Sequence, residues 1–199
     1  MKFVTHLYEG KEQLAILVHN RLYHTQSLDA SMPSTMESFL QDWDKNIGLA
    51  KLAEQKIIEG RYTSDTAYED ATILAPVPHP ASCRDGYAFR QHVAAARRNR
   101  KVDMIPEFDQ YPIFYFTNHQ AIQGPGEIVC MPDHFQKLDF ELEVAIVVSK
   151  KGRNIKAAEA DQYIGGFMIM NDMSARTLQM EEMLLNLGPA KGKDFSTVI

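Results

Sequence analysis

Cysteine, basic charge and long hydrophobic runs are all scarce in this chain of 199 residues. Its two cysteines, Cys83 and Cys130, are too few for a disulfide framework or a cysteine-ligated metal site. The 21 lysines and arginines are outnumbered by 26 aspartates and glutamates, so the chain lacks the basic surface that binds nucleic acid or anionic membranes. The longest aliphatic run, residues 144–148, is far shorter than the roughly 20 residues of a membrane span.

The N-terminus also lacks the hydrophobic segment of a signal peptide. The chain contains no repeats and no low-complexity tracts. Its composition, 45% hydrophobic and 24% charged, is that of an ordinary globular protein. We therefore expect a reduced, cytoplasmic protein with neither nucleic-acid nor membrane partners.

The first third of the chain predicts a small α+β unit. Two strand-like runs, residues 3–8 and residues 14–24, flank a polar segment and predict a β-hairpin. Ser34 followed by Glu37 matches the capping box of a helix start, and hydrophobic residues then recur at helical spacing. We therefore predict one helix that begins after Ser34 and ends near Ile58.

The rest of the chain predicts a second, larger domain. Residues 61–70 are polar and poor in large aliphatic side chains, which indicates a linker. Residues 138–148 are the clearest predicted strand, and residues 174–185 predict a helix. We therefore expect a small N-terminal domain over residues 1–70 and a second domain over residues 71–199.

The predicted strand over residues 138–148 separates acidic from apolar side chains. Because side chains alternate across a strand, Asp139, Glu141 and Glu143 share one face, with about 7 Å between successive positions. The other, apolar face carries Phe140, Leu142, Val144 and Ile146. Either the carboxylates of Glu141 and Glu143 hold one cation, or the strand is half-exposed with a solvated acidic face. In both cases the apolar side is expected to be the buried one.

A second acidic motif follows an apolar run near residue 170. Asp172, Arg176 and Gln179 have the spacing i, i+4, i+7, which places them on one helical face if a helix begins near Asp172. A carboxylate, a cation and an amide together could hold a metal ion and an anionic ligand. The alternative is a helix N-cap followed by an ordinary salt bridge.

A glycine-rich turn at residues 188–192 precedes Lys193. It differs from a phosphate-binding P-loop, because three residues rather than four separate its glycines and Asp194 follows Lys193. Nucleotide binding is therefore excluded. Lys193 is either a site residue held by a tight turn or part of a surface turn.

A carboxylate and a histidine also lie close together in the sequence. Asp85 precedes His92 by seven residues. The unperturbed pKa of a histidine lies near neutral pH, as a general base requires. A lone histidine is also common as a structural residue, so both interpretations of His92 stay open at this point.

Taken together, these four motifs resemble those of the fumarylacetoacetate hydrolase family, in the same order and at similar separations. The detailed resemblance extends over residues 74–199. It implies metal ligation by Asp85, Glu141, Glu143 and Asp172. It implies catalytic roles for His92, Lys193, Gln179 and Arg176, and substrate contacts from Tyr87, Tyr115, Arg176 and Gln179.

The resemblance also implies a fold and a reaction. The implied fold is an α+β protein with a mixed β-roll, usually a homodimer. The implied reaction is metal-dependent hydrolysis of a C–C bond in a β-diketo acid, of fumarylacetoacetate or acylpyruvate type, in aromatic or related catabolism. Four carboxylates are hard oxygen ligands, which favour Mg²⁺, with Mn²⁺ or Ca²⁺ as alternatives. Two other functions stay open: decarboxylation, hydration or isomerisation of a 2-oxo acid at the same site, and non-catalytic metal binding.

The sequence departs from the family pattern in two respects. Family members continue beyond the position where this sequence ends, so we expect an N-terminal portion of a longer member, with a C-terminally incomplete roll. Such a portion would leave sheet edges and apolar surface uncovered. Met183 stands where the hydrolase itself carries an aromatic residue near its site, which implies a substrate other than fumarylacetoacetate.

Overall fold

Three β-sheets and five α-helices form the fold, which a computed structural model describes from Met1 to Ile199. The strands are β1 (Phe3–Tyr8), β2 (Lys11–Val18), β3 (Arg21–His24), β4 (Thr72–Ile73), β5 (Cys83–Gly86), β6 (Phe114–Thr117), β7 (Ile122–Gln123), β8 (Leu138–Val148), β9 (Ile164–Ala175) and β10 (Thr197–Val198). The helices are α1 (Thr25–Leu28), α2 (Met36–Gln41), α3 (Trp43–Ile58), α4 (Arg90–Asn99) and α5 (Arg176–Met183). The first sheet has the order β3-β2-β1-β4, the second has the order β7-β10-β9-β8, and β5 pairs with β6 in the third.

The first sheet is antiparallel, and α2 and α3 pack against one of its faces. Alternation along β2 directs Leu14, Ile16 and Val18 to that face. Phe39 of α2 is fully buried there, with Trp43 of α3 edge-on to its ring. The complete buried cluster is Leu14, Ile16, Val18, Leu28, Met32, Met36, Phe39, Ala50, Ala53, Ile57 and Val77. This is the larger of the two hydrophobic cores in the chain.

The predicted hairpin is confirmed as β1 and β2, but the second predicted run is divided into β2 and β3, and the predicted helix is also divided in two. The N-cap is Thr35 rather than Ser34, because the Thr35 hydroxyl accepts a hydrogen bond from the backbone N–H of Ser38 at 3.3 Å. Asp42 has non-helical dihedral angles (φ −133°, ψ 64°) and separates α2 from α3. The end of α3 at Ile58 agrees with the prediction.

Residues 61–70, predicted as a linker, lie along the β3 edge of the first sheet. Leu22 donates a backbone hydrogen bond to the carbonyl of Thr66, and Tyr68 donates one to the carbonyl of Asn20, both at 3.0 Å. Strand β4 follows directly and pairs with β1 in the same sheet. The division of the chain into two domains remains a prediction.

The second sheet contains the two longest strands, β8 and β9, in antiparallel register. The bounds of β8 are those predicted. Strand β9 continues to Ala175, so the following helix begins at Arg176 rather than at residue 174. Asp172 is therefore a strand residue that pairs with Glu141 across the sheet. The expectation that Asp172 shares a helical face with Arg176 and Gln179 is wrong.

The two faces of β8 are buried in the opposite sense to that expected. Phe140, Leu142 and Val144 are exposed to 56%, 70% and 73%, because no other part of the chain packs on this side of the sheet. Glu141 and Glu143, on the other side, are half-buried. A solvated acidic face is therefore wrong as well.

Helices combined with mostly antiparallel sheets agree with the predicted α+β class. The closure of these sheets into a β-roll remains a prediction. No helix combines the length and the apolar character that crossing a membrane requires.

Candidate active site

Three carboxylates from three strands converge on the buried side of the second sheet. One oxygen each of Asp85, Glu143 and Asp172 lies within 4.8 Å of the others. The register explains part of this arrangement, since Asp172 of β9 lies opposite Glu141 of β8, and Glu143 is two residues further along the same face. Strand β5 brings Asp85 to the group from the small third sheet.

The oxygen donors and the burial of this group of carboxylates suit a divalent cation. Asp172 is only 1% exposed, and its Oδ1 atom has no hydrogen-bond partner. Leaving a buried charged acceptor unpaired is costly, whereas a cation would satisfy it. Carboxylate oxygens are the donors that Mg²⁺, Mn²⁺ and Ca²⁺ prefer. The residues present therefore fit a hard divalent cation.

Burial and mutual repulsion raise the pKa values of two of these carboxyls. Burial is the larger cause, and it raises the pKa of Asp85 to about 6, with a contribution from the charge of Asp172. It raises the pKa of Glu143 to about 8, with contributions from Asp85 and Asp172. Without a cation, this shift favours the protonated form of Glu143.

Glu141, the fourth ligand implied by the family resemblance, faces cationic side chains. Its Oε1 atom lies 2.6 Å from the guanidinium of Arg176 and 3.1 Å from Nζ of Lys193. Burial opposes its ionisation, but the Arg176 hydrogen bond and the Lys193 charge hold the pKa of Glu141 below its ordinary value. Glu141 lies outside the group of three convergent carboxylates, and its role as a ligand remains a prediction.

Lys193 is buried at the centre of the site. Its ammonium group donates to Oδ2 of Asp172 at 2.7 Å and lies within salt-bridge distance of Glu141. Only 3% of the residue is exposed. Interpretation of Lys193 as part of a surface turn is therefore wrong, because the glycine-rich loop turns its side chain inward.

The hydroxyl of Tyr115 contacts two of the three carboxylates. Its hydroxyl donates to Oδ2 of Asp172 at 2.8 Å and lies 3.5 Å from Oδ2 of Asp85. Burial and the charge of Asp172 raise the pKa of Tyr115 well above its ordinary value, so it stays protonated and donates. The substrate contact predicted for Tyr115 remains a prediction, and its observed contact is with Asp172.

Arg176 and Gln179 lie on α5 at the edge of the carboxylate group. Arg176 Nε donates to Asp139 at 3.0 Å, and its Nη1 donates to Oε1 of Gln179 at 3.2 Å. The Gln179 amide nitrogen is left to donate to a ligand. The helix therefore holds a guanidinium and an amide next to Glu141.

His92 and Tyr87 are not brought to the carboxylates. Both lie in the segment between β5 and β6, where each is exposed. Their rings are tilted, with centroids 5.9 Å apart, and neither side chain forms a hydrogen bond or ion pair with the site. The roles of His92 as a base and Tyr87 as a substrate contact remain predictions.

Glu182 is a residue that the sequence analysis did not single out. Its carboxylate accepts the backbone N–H groups of Lys191 and Gly192, each at 2.9 Å. The sequence feature that points to Glu182 is its position three residues after Gln179, which places both residues on the same helical face.

A profile described as "Fumarylacetoacetate (FAA) hydrolase C-terminal" matches residues 82–199, more than half of the chain. The chain is 26% identical over 200 residues to a fumarylacetoacetate hydrolase domain-containing protein 2 homolog of Dictyostelium discoideum, covering 98% of the chain and 60% of that protein. It is 32% identical over 158 residues to the human mitochondrial oxaloacetate tautomerase FAHD2A, covering 77% of the chain and 45% of that protein. The chain thus spans 45% to 60% of the length of these relatives.

Two solved structures share the fold at low identity. Fumarylacetoacetate hydrolase from psychrophilic Exiguobacterium antarcticum has a TM-score of 0.59 at 19% identity, covering 98% of this chain and 62% of that chain. Maleylpyruvate hydrolase from Sphingobium sp. SYK-6, solved with manganese(II) and pyruvate, has a TM-score of 0.60 at 16% identity, covering 87% and 59%. Together with the profile match, which supplies the assignment, they agree with the resemblance found in the sequence: the chain belongs to the fumarylacetoacetate hydrolase family.

Proposed function

We propose that this chain is a divalent-metal-dependent enzyme that promotes enolisation of a 2-oxo or β-dicarbonyl acid. The observation that carries the proposal is the unpartnered Oδ1 atom of Asp172, buried among convergent carboxylates next to the Lys193 ammonium. Such a site places a cation-binding group and a fixed positive charge around one small volume. This combination suits a substrate on which negative charge develops at oxygen.

Asp85, Glu143 and Asp172 are the residues that would hold the cation, with Mg²⁺ proposed first and Mn²⁺ or Ca²⁺ as alternatives. When bound, the cation supplies Lewis acidity that polarises a carbonyl group. The solved maleylpyruvate hydrolase contains manganese and pyruvate, which supports a 2-oxo acid as the class of ligand.

The chain's own residues account for charge stabilisation and for substrate orientation. When a proton leaves the carbon next to a carbonyl, negative charge develops on the carbonyl oxygen, and the buried ammonium of Lys193 stabilises it. Arg176 pairs with a substrate carboxylate through the nitrogen atom left free by Asp139 and Glu141. The Gln179 amide nitrogen donates to a second substrate oxygen.

Tautomerisation is the first candidate reaction. It requires only that a proton moves between carbon and oxygen, without a water nucleophile. The human relative, at 32% identity, is named as an oxaloacetate tautomerase, and His92, the proposed water-activating base, has no contact with the carboxylates. Both points favour tautomerisation of an oxaloacetate-like acid.

Hydrolysis of a C–C bond is the second candidate. The matching profile and the maleylpyruvate hydrolase structure support hydrolysis, because both are named as hydrolases. It requires His92 to reach a water molecule next to the substrate carbonyl, so the segment between β5 and β6 would have to approach the carboxylates. A third possibility, retained from the sequence, is a chain that binds metal without turnover.

Product analysis separates these candidates. The purified chain is incubated with Mg²⁺ and either enol-oxaloacetate or an acylpyruvate, beside a buffer blank containing the same Mg²⁺. Loss of the enol above the blank, abolished by Glu143→Ala and retained by Glu181→Gln, is the result expected for a tautomerase. Release of two acids from the acylpyruvate would establish hydrolysis instead. Saturable Mn²⁺ binding without either reaction would overturn the enzymatic proposal.

The family resemblance also supports a homodimer, which light scattering of the purified chain tests directly. The cellular compartment of the protein can also be tested by experiment. The cytoplasm is proposed from the sequence, whereas the human relative is named as mitochondrial. Fractionation of cells that express the full-length protein would distinguish the two compartments.

A further inference from the structure

We propose that Glu182 is a positioning residue that holds the loop carrying Lys193 and so sets the Lys193 ammonium against Asp172 and Glu141. This inference rests on the proposed function for its catalytic consequence, but its geometry is independent of the reaction. It concerns a side chain that contacts neither the carboxylates nor a substrate.

Glu182 contacts the backbone of the loop that carries Lys193. Glu182 lies near the end of α5, and its two carboxylate oxygens accept two successive backbone N–H groups, those of Lys191 and Gly192, at 2.9 Å each. Hydrogen bonds to an ionised carboxylate are about twice as strong as those between neutral groups. A single anion therefore fixes two consecutive peptide units of the loop.

Gly192 is also held by strand β9 and by helix α5. Its carbonyl accepts the backbone N–H of Ala175 at 2.8 Å. A Cβ atom added to Gly192 would lie 2.7 Å from the backbone nitrogen of Gln179, so only glycine allows the loop to approach α5 this closely. Gly192 is thus fixed through its N–H by Glu182, through its carbonyl by β9, and at its Cα by the surface of α5.

The backbone contacts of Glu182 lie directly next to Lys193 in the chain. Lys193 directly follows Gly192, and its Nζ atom donates to Asp172 at 2.7 Å and lies 3.1 Å from Glu141. Its long side chain has many rotamers, so its placement depends on where its backbone starts. Without the Glu182 contact, the loop would move away from α5 and take the ammonium out of the carboxylate group.

The test compares three single variants with the parent chain. Glu182→Gln keeps the size of the side chain but turns an amide N–H₂ towards a backbone donor. Glu182→Asp keeps the charge and both acceptors on a shorter side chain. Glu181→Gln is the matched control, because Glu181 is exposed on the same helix and its side chain forms no hydrogen bond or ion pair. Melting temperatures establish that each variant is folded.

The primary readout is the accessibility of Lys193, measured by acylation of lysines followed by peptide mass mapping, together with hydrogen exchange of the Lys191 and Gly192 amides. We expect both rates to rise about tenfold or more in Glu182→Gln, as loss of a charged hydrogen bond implies. A smaller rise is expected in Glu182→Asp, and none in Glu181→Gln. Unchanged Lys193 labelling in folded Glu182→Gln would overturn the inference. If Glu182→Gln does not fold, unchanged labelling in Glu182→Asp would overturn it.

The kinetic readout distinguishes positioning from simple loop stability. Because Lys193 acts on charge that develops during the reaction, kcat is expected to fall about tenfold in Glu182→Gln, with KM changed less than about threefold. If the parent chain shows no turnover, the proposed function fails, while Lys193 labelling still decides the positioning role. A changed KM at constant kcat would contradict that role.

Discussion

The two four-stranded sheets differ in which kind of surface they bury. The first sheet buries Leu14 and Ile16 beneath α2 and α3, where Phe39 of α2 is also fully buried. The second sheet leaves Phe140 and Leu142 exposed and buries its charged side instead. Folding free energy and chemistry are therefore located in separate parts of this chain. Apolar burial in the first sheet stabilises the fold, whereas convergent carboxylates in the second sheet oppose it in the absence of a cation.

The two regions also differ in how protons affect them. The first sheet contains a histidine pair, buried His6 and half-buried His24, with lowered pKa values. The second sheet and the neighbouring strand β5 contain half-buried carboxyls, Glu143 and Asp85, with raised pKa values. Acid is therefore expected to weaken the first sheet, and alkali to weaken the second sheet when no cation is present.

The largest expected effect comes from the same substitution made in the core that covers the first sheet and on the apolar face of the second sheet. Phe39→Ala removes a fully buried ring and is expected to lower the free energy of unfolding by about 3–5 kcal/mol. Phe140→Ala removes a ring that is 56% exposed and is expected to cost about 1 kcal/mol or less. Urea unfolding followed by the fluorescence of Trp43, the single tryptophan, measures both.

Equal costs for the two substitutions would contradict this comparison. A loss of several kcal/mol in Phe140→Ala would mean that the apolar side of β8 is covered in solution. Repeating the Phe140→Ala measurement at several protein concentrations would then show whether a second copy covers it, because stability gained by association depends on concentration.

Much of the local structure was predictable from the sequence because it depends on local patterns. The alternation in β8 gave its bounds correctly. The break at Asp42 and the extension of β9 through Asp172 were not predictable in this way. The extension of β9 depends on its pairing with β8, and tertiary contacts of this kind override local propensity.

The candidate site was predictable to the extent that its residues lie in recognisable motifs. Asp85, Glu143 and Asp172 were named from the sequence, and the structure brings them together. The role of Glu182 was not predictable, because its partners are backbone N–H groups and carry no side-chain signature. The burial of the acidic face was missed because the covering residue Tyr115 comes from another sheet.

The next effect in size concerns cation affinity and pH. The raised pKa values of Asp85 (about 6) and Glu143 (about 8) mean that a cation must displace protons at neutral pH. We expect Mn²⁺ to bind about thirtyfold more tightly at pH 8.5 than at pH 6.5, since each pH unit below a pKa lowers the ionised fraction about tenfold. Calorimetry in two buffers of different ionisation enthalpy measures both the affinity and the protons released.

The same carboxyls determine a stability effect of the opposite sign without metal. A carboxyl whose pKa is raised by folding is penalised once it ionises. The contribution of Glu143 is therefore fully present below its unfolded pKa of 4.5 and is lost as the pH rises through about 8. Glu143→Gln is expected to remove most of this alkaline loss and also the tight Mn²⁺ binding. An affinity independent of pH would show that the carboxyls are already ionised in the free chain.

The smallest expected effect is acid destabilisation of the first sheet. The Nε2 atoms of His6 and His24 lie 3.1 Å apart, so one ring must donate a hydrogen and the other must accept it. His6 is only 1% exposed. Burial, with a contribution from the His24 charge, holds the pKa of His6 below its ordinary value of 6.5. Burial likewise lowers the pKa of His24, although Glu9 opposes this shift.

Because both pKa values are lowered by folding, protons bind the unfolded chain more readily. The stability that the pair contributes is therefore fully present above about pH 6.5 and is lost as the pH falls towards the folded-state pKa values. We expect a loss of about 1 kcal/mol between pH 7 and pH 5, comparable to one hydrogen bond. His6→Leu is expected to flatten this dependence, and His92→Gln, on an exposed segment, to leave it unchanged. An acid loss that persists in His6→Leu would place its origin in titratable groups outside the histidine pair.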